Sequence, residues 1–349
     1  MLLAFFVMQV DFFNKMQKLL NESNFCNNKI AVAVSGGCDS LALTFLLQQF
    51  CNQNNIELFA ITVDHHMRPE STQEAMQLNL LLSKNEIYHT IINLKQDSLP
   101  TSNIESRLRE LRYTALNDFC KQYSISHLVV GHQLDDIAEN FLIRLFRGSD
   151  LDGLSPIASI SNFAKLTILR PLLDFRKIQL QDFLQDRQII WFEDSSNNDE
   201  RFLRNKIRNF LHSFSDYPNI SRRIAQTSIN IGEIRLRYDE ELLQYAAQLL
   251  IYQDRSFLLQ KSYLNQIPQQ ILLKILALVL IELSQKNYKP RKIKLQNYCE
   301  FLLINQQKHK NYRFYGTISR NYSERFFLIE SQNNSKKEHW QTILGKIFA

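Results

Sequence analysis

Four short apolar runs punctuate the first half of the chain: Ile30–Val34, Leu58–Val63, Tyr88–Leu94 and His127–Val130. Each is rich in Ile, Val and Leu and is bounded by polar or glycine-containing segments, which is the pattern of a buried strand. Between them, apolar positions recur at helical spacing over Leu41–Phe50, Thr72–Ser83, Glu105–Tyr123 and Asp135–Phe146. Strands alternating with helices of this length predict βαβ units and a parallel sheet. Ligands of such sheets bind beyond the carboxyl ends of the strands. The chemistry is therefore expected at Ser35–Ser40, Asp64–Arg68 and Gly131–Asp136, each of which follows directly on a strand.

The second half reads differently. A helical stretch is expected over Arg176–Arg187, then the polar segment Glu193–Asp199, then Arg201–Phe214. Asp216–Asn219 reads as a linker. From Ile220 to Gln285 the apolar spacing is helical throughout, most clearly over Ile271–Leu283. Tyr312–Gly316 and Phe326–Glu330 flank Asn321–Glu324 and read as a terminal hairpin, followed by a polar tail.

Composition narrows the class. A chain of 349 residues with 45% hydrophobic and 22% charged residues has room for two or three globular domains. Five cysteines, with no C-x-x-C among them, argue for a reducing cytoplasm and against a zinc or iron–sulfur site. The apolar start, Met1 to Met8, lacks a basic region and a small-residue cleavage site, so neither a signal peptide nor a membrane span is expected; Met8 offers an alternative start. Net charge is +6, but Lys286–Arg325 holds ten Lys or Arg against Glu300 and Glu324. Such asymmetry points to nucleic-acid contact, with a solvated basic face as the plain alternative.

Four constellations, and a strand-end pair at Asp64 and Arg68, carry candidate chemistry. In the first, Ser35-Gly36-Gly37-Cys38-Asp39-Ser40 joins a strand to a helix, so glycines permit a sharp turn and the helix N-terminus favours an anion. The Walker spacing G-x-x-x-x-G-K-[ST] is absent. The second, Gly131–Asn140, sets His132, Asp136 and Glu139 at i, i+4 and i+7, one face of a starting helix. Two acids and an imidazole can bind Mg²⁺ and handle a proton; helix capping is the competing role for Asp135 and Asp136. In the third, Arg109 and Arg112 share a helix face, either as phosphate-binding forks or as part of a salt-bridged surface with Glu105 and Glu110. Asp64, at a strand end, could hold a ribose hydroxyl and Arg68 a phosphate. The fourth, Asp194–Asn197 with Arg201, Arg204 and Arg208, offers a basic helix face for a phosphate backbone or for transition-state charge.

Taken in order, SGGxDS, VDHxxRxES, NIExRxRxxRY, GHxxDDxAE, RPLL and EDxSN followed by RN and R resemble the bacterial tRNA(Ile)-lysidine synthase family, within the N-type ATP pyrophosphatases. The motifs span about residues 30–210, and the terminal hairpin resembles the end of that family's middle domain. The resemblance implies an α/β fold: a Rossmann-like, parallel-sheet catalytic domain of the adenine nucleotide alpha hydrolase type, then a smaller, mostly helical domain ending in a β-hairpin. The implied boundaries are an N-terminal extension and helix over 1–28, a catalytic domain over 29–215, a tRNA-binding domain over 220–330 and a polar tail over 331–349. The acceptor-stem module of longer members is expected to be absent.

The implied activity is ligation of free L-lysine to C2 of the wobble cytidine of a CAU-anticodon tRNA(Ile). ATP first adenylates the cytidine carbonyl with loss of pyrophosphate, and the lysine ε-amine then displaces AMP. Codon reading changes from AUG to AUA. The resemblance assigns Ser35, Gly36, Gly37, Cys38, Asp39, Ser40, Asp64 and Arg68 to ATP, and Asp39 and Asp136 to Mg²⁺. It assigns Arg109, Arg112, His132, Asp136 and Glu139 to the lysine and AMP sites, and Arg204 to the activated cytidine. No membrane partner is implied, and a homodimer is left open. Ile137, Asn140 and His66 depart from the family's usual Gln, Thr and Gly. Thiolation by a related enzyme would want paired cysteines, an amide ligase a glutaminase domain, and a non-catalytic RNA-binding protein would leave Ser35–Ser40 and His132–Glu139 without a purpose.

Overall fold

The computed structural model describes residues 2–65, 70–94, 104–192, 203–286, 288–305 and 311–332. The chain divides into two compact units, Met1–Gly232 and Glu233–Ala349. The first unit runs α1 (Leu2–Glu22), β1 (Lys29–Ala33), α2 (Cys38–Asn54), β2 (Glu57–Asp64), α3 (Ser71–Lys84), β3 (Tyr88–Asn93), α4 (Ile104–Gln122), β4 (His127–Val129), α5 (Leu134–Phe146), α6 (Leu151–Leu154), β5 (Ile160–Phe163), β6 (Leu166–Leu169), α7 (Lys177–Gln185) and α8 (Leu203–His212). Helix α9 (Tyr217–Leu249) follows and crosses the boundary in sequence.

Six strands form one sheet in the order β3-β2-β1-β4-β6-β5, parallel except for the β5–β6 pair at its edge. The near-continuous apolar strands follow from burial on both faces. Ile30 and Val32 pack with Leu41, Phe45 and Leu46 of α2, Phe12 and Met16 of α1 and Leu180 and Phe183 of α7. Ala31, between them, faces the other way, toward Tyr113, Leu116 and Cys120 of α4. The chain order turns back at β1: β2 and β3 lie to one side and β4 to the other. That reversal opens a crevice at the carboxyl ends of β1 and β4.

In the second unit, β7 (Leu250–Gln253), β8 (Ser256–Gln260), β9 (Tyr312–Phe314), β10 (Thr317–Asn321) and β11 (Phe326–Ser331) form an antiparallel sheet ordered β7-β8-β11-β10-β9. It packs with α11 (Gln269–Ser284) and α12 (Lys292–Ile304) around Leu276, Leu280, Tyr298, Phe257 and Phe327; α10 (Lys261–Leu264) is a single turn between β8 and α11.

The four expected strands and four expected helices of the first half are present. Three differences stand out. The β5–β6 hairpin was not expected, because its four-residue strands are too short to show a period. The expected helical run over 220–285 is broken by β7 and β8, since α9 passes into β7 without a proline or glycine and the turn is made by Asp254 and Arg255 at φ 48° and 63°. The terminal hairpin has an extra strand, β10, and β11 also pairs with β8, so the hairpin is part of a five-stranded sheet. Among the described residues no helix is long and apolar enough to cross a membrane.

One polar link inside the first unit bears on pH. Thr62 Oγ1 donates to the Val34 carbonyl at 2.8 Å and lies 2.8 Å from His89 Nε2, whose Nδ1 is 2.9 Å from Asn79 Oδ1. Burial pushes His89 down to about 4. The unfolded chain takes up this proton at the ordinary imidazole value of about 6.5. His89 therefore supports the fold fully above that value, and its support is lost as the pH falls toward 4. His89→Gln is expected to lower stability at pH 7 by about 1 kcal/mol through its weakened hydrogen bonds. It should also make the acid-side decline in urea-unfolding stability shallower; a slope equal to that of the parent chain would remove His89 from this role.

Candidate active site

A cleft of about 840 Å³ opens at the reversal of the sheet, and Ser35, Gly37, Cys38, Asp39 and Ser40 form one wall of it. The wall is shaped by backbone. Gly36 has φ +82°, and a Cβ there would lie 2.5 Å from the Phe192 ring. Its carbonyl accepts the Phe192 N–H at 3.0 Å. Ser40 Oγ donates to the Gly37 carbonyl at 3.0 Å and accepts the Ser35 N–H at 3.1 Å, which closes the loop on itself before α2 begins. The free N–H groups of the first turn of α2 are thus presented at the cleft, where an anion is favoured.

The turn after β4 meets this loop directly. A Cβ on Gly131 would sit 3.2 Å from the Asp39 carbonyl oxygen and 3.3 Å from Ser40 Cα, so the two backbones pass close to each other. Gln133 caps α5: its side chain accepts the Asp135 N–H at 2.6 Å, and Asp136 Oδ2 accepts the Gln133 N–H at 3.1 Å. His132 consequently lies ahead of the helix rather than on its first turn, the capping box having claimed the start of α5. Asp135 is structural: it accepts from Ser221 Oγ at 2.6 Å and from the Lys177 N–H at 3.2 Å, fixing α5 to α9 and α7.

Asp39 is half-buried, its solvent-shielded Oδ1 has no hydrogen-bond partner, and its carboxyl is pushed up to about 7 by burial and by the neighbouring Asp136. Burial also raises Asp136. Two half-buried acids that oppose each other's charge, one with an orphaned oxygen, fit a divalent cation that takes one or two carboxylates and completes its shell with phosphate oxygens and water. Among the described residues no group of three or more His, Cys, Asp or Glu could hold a metal.

Glu139, further along α5, is paired with α8. Arg208 Nε donates to Glu139 Oε1 at 2.6 Å and Arg204 Nε lies 3.3 Å from Oε2. Burial opposes the charge on Arg208, but Glu139, Asp136 and Asp39 outweigh it and hold its pKa up. Arg204 Nη2 also donates to Asn140 Oδ1 at 3.1 Å. On the other side stands His132, pushed down to about 3 by burial and by Arg170, Arg109, Arg112 and Arg204. It is neutral at physiological pH.

Of the residues singled out in sequence, Arg112, His132 and Arg208 line the cleft together with the Ser35–Ser40 loop, whereas Asp136, Glu139 and Arg204 are not among its lining residues. Arg109 is exposed, its guanidinium 5.1 Å from the Tyr113 ring centroid. Asp64 is buried and accepts from Ser71 Oγ at 2.8 Å and Thr72 Oγ1 at 2.9 Å, so it anchors α3. Arg68, His66, Asp194–Asn197 and Arg201 lie outside the described residues. Sequence reasoning missed Lys177, Gln181, Trp191 and Phe192, all in the cleft wall, and Arg170, which is buried and donates to the Ala158 carbonyl at 2.8 Å and to Ser161 Oγ at 2.9 Å. Lys177 and Gln181 at i, i+4 of a helix were a readable signal; the return of Phe192 to Gly36 was not.

Comparison with known proteins narrows what such a cleft serves. Residues 8–214 match the PP-loop domain family. A tRNA(Ile)-lysidine synthase of Wolbachia pipientis wMel is 31% identical over 326 residues, covering 91% of this chain and 74% of that protein. The chain belongs to the tRNA(Ile)-lysidine synthase family. Another family member, from Orientia tsutsugamushi, is 30% identical over 88% of this chain and 73% of its own length, so the chain spans about three quarters of these relatives. The lysidine synthase of Rickettsia prowazekii is 38% identical over 208 residues, 59% of this chain and 48% of that one. Among solved structures, a U34-tRNA thiolase from Methanococcus maripaludis superposes with a TM-score of 0.54 at 20% identity, over 64% of this chain and 78% of that one, a likeness of fold alone. Cys38, in the loop of this lysidine synthase family member, is pushed up to about 12 by burial and by Asp39, which leaves it a neutral thiol.

The loop geometry gives a direct test. Gly36→Ala combines a positive φ with a 2.5 Å approach to Phe192. It is expected to destabilise the first unit by about 1–3 kcal/mol. Any of that strain relieved by moving the loop should weaken ATP binding, about tenfold per 1.4 kcal/mol. Thermal unfolding with and without ATP measures both; an unchanged ATP-induced shift would mean that this turn does not shape the nucleotide site.

Proposed function

We propose that this chain ligates free lysine onto C2 of the wobble cytidine of a CAU-anticodon tRNA(Ile), using ATP in the cleft at the β1–β4 reversal. The observation that carries the reading is the joining, in a member of this family, of an anion-binding loop at Ser35–Ser40 to the Asp39 carboxyl and the Arg112 and Arg208 guanidiniums in one cleft, with Asp136 close enough to oppose the Asp39 charge. The loop N–H groups and Ser40 would hold the pyrophosphate end of ATP. Asp39 and Asp136 would hold Mg²⁺, which supplies charge neutralisation for the phosphates. Asp64 would act on the nucleotide only through its neighbour His65, which lines the cleft, and Arg68 would meet a phosphate.

The cytidine O2 attacks the α-phosphorus and pyrophosphate departs; C2 then carries AMP as a leaving group. Attack by the neutral lysine ε-amine at C2 expels AMP, and the amine loses its proton. Positive charge from Arg112, Arg204 and Arg208 would stabilise the phosphate as charge develops on it. His132, neutral among guanidiniums, can hydrogen-bond to substrate without adding a charge. Glu139 sets the directions of Arg204 and Arg208. The target base must leave its stack, which an anticodon loop permits. Residues 29–215 would form the catalytic domain, and residues 220–330, with the basic segment Lys286–Arg325, would grip the tRNA in the cytoplasm.

Incorporation of labelled lysine into CAU-anticodon tRNA(Ile), with ATP and Mg²⁺ and with methionine tRNA as control, tests the reaction. Selective, ATP-dependent labelling is expected; tRNA-dependent pyrophosphate release without labelling would call for a different nucleophile. Asp39→Ala should abolish labelling while leaving tRNA affinity near that of the parent chain, since the role proposed for Asp39 is toward Mg²⁺ and ATP and not toward the RNA. Full activity of that variant would remove Asp39 from the site. Neutralising three of the Lys286–Arg325 cations should weaken tRNA binding and reduce its salt slope by about one unit per lost phosphate contact. An unaltered slope would mean that RNA is held elsewhere.

A further inference from the structure

At the tip of the β9–β10 hairpin the chain displays an aromatic residue where backbone geometry disfavours one. The two-residue turn is Tyr315-Gly316, with φ 58° and 86°. Turns with positive φ at both central positions favour Asn-Gly or Gly-Gly, and a bulky side chain in the first position is strained. Strain of this kind is retained where a side chain is needed at that place.

The Tyr315 side chain is held in a defined pose. Its hydroxyl donates to the Tyr288 carbonyl, and its ring meets the Tyr288 ring edge to face, with centroids 5.6 Å apart and planes at 77°. The Lys286 ammonium lies 4.4 Å from the Tyr315 ring centroid and 5.9 Å from that of Tyr288. Tyr288 itself is 63% exposed, so much of its ring remains open to solvent. Lys289, Arg291, Lys292 and Lys294 follow in sequence and are all exposed. An edge-fixed tyrosine with open ring surface, a second tyrosine that orients it and a fringe of cations together match the requirements for an unpaired nucleotide: a π-surface for the base and positive charge for its phosphates.

We propose that Lys286, Tyr288 and Tyr315 form a stacking site for an unpaired nucleotide of the bound tRNA, outside the catalytic cleft residues. The site rests on the proposed tRNA substrate but adds a base contact that no phosphate-binding surface provides. A base within a duplex offers no free face, so the site should select looped-out or loop nucleotides over paired ones.

The test is the affinity of Tyr288→Ala for a CAU-anticodon tRNA(Ile) transcript and for a fully paired RNA duplex of similar length, each across a range of salt concentrations. Loss of one stacked base predicts about 5- to 50-fold weaker tRNA binding with an unchanged salt slope, and no change for the duplex. Tyr288→Phe should bind as the parent chain does. Unchanged tRNA affinity of Tyr288→Ala, or equal losses for tRNA and duplex, would overturn the stacking site. Because Tyr288 is exposed, Tyr288→Ala should unfold at the parent temperature; a lowered temperature with equal weakening in Tyr288→Phe would assign the residue to structure instead. Lysine incorporation separates this site from the reaction. At saturating tRNA, Tyr288→Ala should turn over at the parent rate with a raised KM for tRNA. A parent chain that binds tRNA and incorporates no lysine would end the proposed reaction and leave the binding comparison to decide the stacking site.

Discussion

The site depends on two backbones passing within van der Waals distance at the reversal of the sheet. The loop after β1 and the turn after β4 converge because β1 and β4 are neighbours, and they approach closely because Gly131 presents no Cβ to the Asp39 carbonyl. Gly36 makes the second close approach, against Phe192, and its carbonyl takes the Phe192 N–H. Segments far apart in sequence are thereby held against the same few loop atoms. A side chain at either glycine would push them apart, and every charged group of the cleft is positioned relative to that junction.

Around the junction, polar groups divide into those that build and those that remain available. Asp135 and Asp64 spend their carboxylate oxygens on Ser221, Lys177 N–H, Ser71 and Thr72, and so fix helices. Asp136 does both, capping α5 through one oxygen while its charge opposes that of Asp39. The orphaned Asp39 oxygen is different in kind, because a buried acceptor left without a partner costs more than a hydrogen bond returns. Such a group is tolerated where a ligand restores the balance.

Much of this was legible in the chain. The apolar runs gave the central strands, because a strand covered on both faces must be apolar over its whole length. The strand ends gave the loops, because in a parallel sheet the ligand side is set by chain direction. Burial of Asp64, Asp135 and Glu139 was not legible, since an acid in a sequence looks the same whether it binds substrate or ties a helix to its neighbour. Lys177 and Arg170 escaped notice for the converse reason: cations are common on helix faces and near prolines, and only the fold brings Lys177 to the cleft wall and buries Arg170. The strands β5, β6, β7, β8 and β10 were missed because four or five residues do not distinguish a period of two from one of 3.6.

The electrostatics of the cleft then follow from how its charges are shared. On the side of α5 and α8, Glu139 holds Arg204 and Arg208, while Asp39 and Asp136 strain against each other. On the side of α4 and β6, the charges of Arg109, Arg112 and Arg170 help hold His132 neutral, and Arg170 donates to the Ala158 carbonyl and to Ser161 Oγ. Burial depresses both Arg112 and Arg170, the mark of cations held where water does not fully solvate them. One end of the cleft is therefore short of positive charge and the other short of negative charge. In the proposed function, a magnesium-bound triphosphate would correct both at once, with the acids toward the cation and the guanidiniums toward the phosphates. A neutral ligand would correct neither. In the proposed function, such a charge distribution would favour a metal–nucleotide complex over either component alone.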